Sequence, residues 1–151
     1  MRLRRVARVA GVLTAGLLTV AVATAPASAT TVNWKELDPS IPLFCESTIP
    51  HATYPDVYFQ GCLVANQNGD AQVIMVVNNQ GPKAVNIGGW TSSQFGSNVT
   101  CADSVLNPNF QRACFGPTVH LPAAGVTYKS SVHLTVNGST KIAPAPDIGR
   151  I

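Results

Sequence analysis

Charge is scarce in this chain. Asp, Glu, Lys and Arg together make up 11% of its 151 residues, and there are only three histidines. So few titratable groups leave little material for acid–base catalysis. No Gly-x-Ser-x-Gly, His-Glu-x-x-His or P-loop pattern occurs. No Cys-x-x-Cys occurs either, which removes a thioredoxin-like redox site and a zinc knuckle. The acids Glu36, Asp38, Glu46, Asp56, Asp70, Asp103 and Asp147 are scattered, and the one close pair, Glu36-x-Asp38, lacks the Gly-turned loop of a calcium hand. His51, His120 and His133 sit in a Pro-rich stretch, on a short strand and on the wet face of a long strand, so no catalytic group is expected among them. The reading is therefore a non-enzyme with no metal and no cofactor.

Long apolar runs are also missing, except at the start. Arg2, Arg4, Arg5 and Arg8 precede a run from Val9 to Ala23 interrupted only by Thr14 and Thr19. Pro26 and then Ala27-Ser28-Ala29 follow. A positive end, an apolar middle and a small-x-small site are the parts of a secretory signal. The run is short for a membrane span. Residues 1–29 are thus expected to be cleaved, leaving a secreted, extracellular protein that begins near Thr30 and has no membrane span. Four of the ten basic residues leave with the signal, so six face seven acids. The basicity of the whole chain is an export device, and nucleic acid is not an expected partner. About 120 residues remain, enough for one domain with its own core.

Four cysteines follow the signal: Cys45, Cys62, Cys101 and Cys114. An even count in an exported chain reads as two disulfides, with three pairings possible. The local pairing, Cys45–Cys62 with Cys101–Cys114, is expected because each bond closes a short loop rich in Pro or Asn. The nested pairing, Cys62–Cys101 with Cys45–Cys114, is the alternative.

What remains is rich in Val, Thr, Ser, Asn, Gly and Pro, the residues of strands and turns. Residues 30–56 carry Pro39, Pro42, Pro50 and Pro55 and read as a lead-in packed on the domain, with a short edge strand around 31–37. A strand over 57–65, Asn68-Gly69 as a hairpin turn and a strand over 71–78 come next. The unbroken run Val73-Ile74-Met75-Val76-Val77 suits a strand buried on both faces. Strands are expected at 84–90, with Gly88-Gly89 as a bulge or close approach, and briefly at 97–101 and 118–121. The clearest alternation runs from Val126 to Val136, with Val132, Leu134 and Val136 on one face and Lys129, Ser131 and His133 on the other. Residues 57–142 then form the core of an all-β, immunoglobulin-like sandwich of six to seven strands, and 143–151 a frayed tail. Trp90 and Tyr128 are expected in the core, and Trp34, Tyr54 and Tyr58 on an exposed face.

These features point to a small non-catalytic binding or interaction module, with protein or cell-wall polysaccharide as partner. Its surface is expected at the loop ends, using Tyr54 and Tyr58 from 45–62 and Phe110 and Arg112 from 101–114. Two resemblances bear on this. The stretch from Asn79-Gln80-Gly81 to Gly89-Trp90 resembles the Asn-x-Gly…Gly-Trp segment of bacterial cellulose-binding modules, which implies carbohydrate binding with a structural Trp. In size and in its four cysteines the exported part resembles the small subtilisin inhibitors secreted by filamentous soil bacteria. That implies a protease inhibitor; a loop made rigid by Cys101–Cys114 would present Phe110-Gln111-Arg112-Ala113 as its bait, with Arg112 as the key side chain.

Overall fold

The computed structural model describes residues 30–149, so the expected signal at 1–29 lies outside the described residues. Eleven strands occur in chain order: Thr31–Val32 (β1), Phe44–Cys45 (β2), Ile49–Pro50 (β3), Val57–Ala65 (β4), Asp70–Asn79 (β5), Val85–Ser93 (β6), Val99–Leu106 (β7), Gln111–Phe115 (β8), Val119–His120 (β9), Thr127–Val136 (β10) and Ser139–Gly149 (β11). They form two sheets. The first has the order β1-β7-β6-β10-β11; the second has the order β2-β4-β5-β8, with β3 also pairing β4 and β9 also pairing β5. The seven strands of five residues or more divide into β7-β6-β10-β11 and β4-β5-β8. This is an immunoglobulin-like sandwich in which the fourth long strand pairs with the third, on the sheet that also carries the last two.

The core follows from alternation. Val57, Phe59 and Leu63 of β4, Val73, Met75 and Val77 of β5, and Val132, Leu134 and Val136 of β10 point between the sheets and are buried. Each such side chain contributes roughly 1.5–3 kcal/mol by leaving water. The opposite parity of β5, Ile74 and Val76, is buried too, in a second cluster with Cys62 and Ala113. Leu37 and Leu43 of the lead-in pack on that cluster. The lead-in is a strap. It pairs with β7 at Thr31–Val32, bridges Lys35 to Ala113 of β8, crosses the outer face of the second sheet and pairs with β4 at Phe44–Cys45. That crossing is why the Val73–Val77 run is apolar on both faces.

Both disulfides have the local pairing. Cys45 and Cys62 stand opposite each other in register, so this bond ties the end of the strap to β4. Cys101 lies in β7 and Cys114 in β8, so the second bond joins the two sheets, with both cysteines buried. At the other side of the sandwich β4 and β11 approach closely. A Cβ on Gly61 would lie 2.5 Å from the Pro144 carbonyl oxygen and 2.7 Å from the Ala145 Cβ.

Two sequence expectations are corrected. Residues 101–114 are not a tied loop: they are the ends of two strands joined by a turn at 107–110, and only that turn is irregular. The segment from Ala143 onward does not fray within the described residues. Through Gly149 it is β11, paired along β10, with Ala143 and Ala145 buried. Pro144 and Pro146 are tolerated there because β11 is an edge strand, which has one side free of ladder bonds. The edge strand expected near 31–37 is β1, and the lead-in adds β2 and β3 to the second sheet.

Candidate functional site

β6 and β10 are neighbours in the first sheet, and their register places His133 opposite Trp90. Ile87 and Thr91 of β6 point inward, so Trp90, of opposite parity, points to solvent. It is 41% exposed, which corrects the expectation of a core tryptophan. The His133 ring stacks on it, with centroids 4.5 Å apart and planes inclined by 16°. On the far side of β10, His133 pairs with Ile142 of β11, which is 57% exposed, and on the far side of β6 Trp90 pairs with Thr100 of β7. One cross-strand row therefore reads Thr100, Trp90, His133, Ile142: an aromatic and apolar ridge on the outer face of the first sheet.

Polar hollows flank the ridge along the strands. Toward the Asn137-Gly138 turn, Asn86, Gly88, Asp103, Val105, Thr135 and Asn137 line a depression of about 550 Å³. A Cβ on Gly88 would lie 2.4 Å from Asp103 Oδ1, so the missing side chain is what lets that carboxylate lie over the sheet. Gly89 is also required. Its φ is +137°, and a Cβ there would sit 2.0 Å from the His133 carbonyl oxygen. Together they form the expected bulge, where the β6–β7 register shifts between Ile87 and Gly89. In the other direction Ser92, Gln94, Lys129 and Ser131 line a smaller hollow of about 290 Å³.

Burial holds the His133 imidazole below the usual histidine range, so the stacked ring is neutral at neutral pH. Ser131 Oγ lies 3.1 Å from His133 Nε2. Among the described residues no carboxylate hydrogen-bonds this histidine, and the pair lacks the orienting third group of a nucleophilic triad. His120 Nδ1 meets Asp70 Oδ1 at 3.0 Å on an exposed edge, where the Asn66 amide first and His120 second lower the Asp70 carboxyl. His51 is buried, 1% exposed, with Nε2 on the Ser139 carbonyl and Nδ1 accepting from the Thr53 amide. Both its nitrogens are spent on structure.

The residues expected at the loop ends have different surroundings. Tyr54 is half-buried, packing against the core and 5.7 Å from the His51 ring. Tyr58 is half-buried on the outer face of the second sheet, opposite Asn78. Phe110 and Arg112 do meet, with the guanidinium 5.2 Å from the ring centre. Arg112 lies in β8 opposite Val77, donates to the Gln111 carbonyl oxygen and faces Glu36 at 3.8 Å. Arg112 thus lies within a strand, just past the 107–110 turn rather than at its tip. Trp34 is half-buried, with Nε1 donating to the Ala102 carbonyl at 2.7 Å.

Sequence reasoning missed the Trp90 ridge although the signal was available. Strict alternation from Ile87 places Trp90 on the face opposite the core, the face that Lys129, Ser131 and His133 share on β10. No family model matches the chain, and comparison with curated proteins and with solved structures gave no match.

Proposed function

We propose that this protein is a secreted, non-catalytic module that binds an extended polysaccharide on the outer face of its first sheet. The observation that carries the reading is the exposed Trp90, stacked on His133 between two polar hollows. An indole offers a sugar ring a broad apolar surface while its edge stays polar. Hydroxyls and amides on either side, from Ser92, Ser131, Thr135, Asn86 and Asn137, supply partners for sugar hydroxyls. From Asn86 to Ser92 the strand runs ~20 Å, long enough for several sugar units. Export is supported by the N-terminal signal pattern and by two formed disulfides, which persist in oxidising surroundings.

The test is co-sedimentation of the oxidised protein with insoluble polysaccharides and cell-wall fractions. Retention on at least one of them, lost in Trp90→Ala, supports the reading. Failure to sediment with any, or equal retention of Trp90→Ala, overturns it.

A further inference from the structure

A second concave site lies on the opposite face of the sandwich. We propose that the cleft formed there by β4, β5 and β8, with Thr48 and Gln80 at its margin, binds a single neutral sugar ring, independently of Trp90. The strap covers Ile74, Val76 and Ala113 with Leu37 and Leu43, and the outer face of the second sheet opens beyond it. In register across that open part stand Pro50, Tyr58, Asn78 and Gln111. The neighbouring row brings Gln60 beside Val76. Thr48, Gln60, Asn78, Gln80 and Gln111 line the cleft around Tyr58 and Val76.

Three properties select the ligand. No charged side chain lines the cleft, so a charged ligand would lose water without gaining a counter-charge. Four side-chain amides converge, each with two donors and an acceptor, a set that matches vicinal hydroxyls. Only Gln60 is occupied, accepting from Thr48 Oγ1; among the described residues Asn78, Gln80 and Gln111 make no side-chain hydrogen bond. Tyr58 adds a ring beside them. The cleft holds about 200 Å³, less than a drug-sized pocket, which limits the occupant to one ring.

Side-chain amide resonances of the ¹⁵N-labelled, oxidised full chain report on this directly. Glucose, galactose, mannose and N-acetylglucosamine are titrated separately, with the capped peptide N-acetyl-Gly-Gly-amide as comparison. The expected result is a saturable shift of the Asn78, Gln80 and Gln111 NH₂ signals with at least one sugar. That shift should weaken at least tenfold in Gln111→Ala and in Asn78→Ser and persist in Trp90→Ala. Failure of all four sugars, a saturable response to the capped peptide alone, or a sugar response indifferent to Gln111→Ala and Asn78→Ser overturns the proposal. Because Trp90→Ala is expected to leave this site intact, its outcome is separable from that of the first face.

Discussion

His133 stands directly across from Trp90 in the β6–β10 register, and the two rings stack at 4.5 Å with Ile142 next in the row. The pair sits on the solvent side of a sheet whose other side is the core. Its removal therefore separates binding from folding. Trp90→Ala should abolish retention on the bound polysaccharide, a loss of at least ~2 kcal/mol as for a central hot-spot aromatic. Urea unfolding of the same variant should move by about 1 kcal/mol or less, since the side chain is half in water already. A variant that unfolds far more easily would make Trp90 a structural residue and remove the binding argument.

Two glycines carry geometry that no other residue can. Gly61→Val would drive side-chain atoms into the Pro144 carbonyl oxygen and Ala145 and force β4 from β11. Overpacking of this kind costs roughly 1–3 kcal/mol or more, read as a lower urea midpoint. Gly89→Ala meets both a positive φ and the His133 carbonyl, so it should destabilise and also disturb the ridge. An unchanged midpoint in both would mean that the strands separate without cost.

The two disulfides differ in what they hold. Cys101–Cys114 joins the sheets, and replacing both cysteines by alanine should cost about 2–5 kcal/mol, as loss of a native disulfide in a small secreted domain does. Cys45–Cys62 pins the strap to β4. Its double alanine variant should open the strap before the sandwich, visible as early proteolysis within 33–46 while the remaining strands stay protected. Simultaneous cleavage throughout both sheets would contradict a separable strap.

Acid should weaken the fold through two histidines. Burial lowers the pKa of both His51 and His133 below the ordinary 6.5. Where the folded pKa is lowered, the unfolded chain binds the extra proton, so stability rises with pH in that window. The contribution is complete above 6.5 and is lost as pH falls from there through the folded values. His51→Gln should flatten part of that decline in urea midpoints measured between pH 7 and 4. A slope identical to that of the unchanged protein would show that His51 is not one of the groups responsible.

The buried Asn79 illustrates what sequence reading reaches and what it does not. Asn79-Gln80-Gly81-Pro82 announces a turn, because each residue suits one. Nothing in the sequence says that the Asn79 amide donates to the carbonyls of Lys83 and Leu106 and accepts from Gly81, or that its backbone bonds Asn109 and Phe110. Those partners come from two stretches, 81–83 and 106–110. The surroundings of Tyr54, packed on the core, of Tyr58, on the outer face opposite Asn78, and of Arg112, beside Phe110, escape it for the same reason: a register and a strap, not a spacing, decide which face each side chain joins.

The chain by itself pointed to the strands at 57–65, 71–78 and 126–136, to its turn at Asn68-Gly69, to the double-sided burial of Val73–Val77 and, of the pairings left open, to the local disulfides. These are short-range matters of alternation, turn chemistry and loop length, and they are written in neighbouring residues. The tertiary structure alone decided that β7 pairs with β6 while β8 joins the other sheet, so that a bond between nearby cysteines became a staple between sheets. It also decided that Pro144 and Pro146 lie in an edge strand, that Leu37 and Leu43 cover Ile74 and Val76, and that Trp90 meets His133 in the open. Each depends on which strands become neighbours, and that choice is made by packing between residues far apart in the chain.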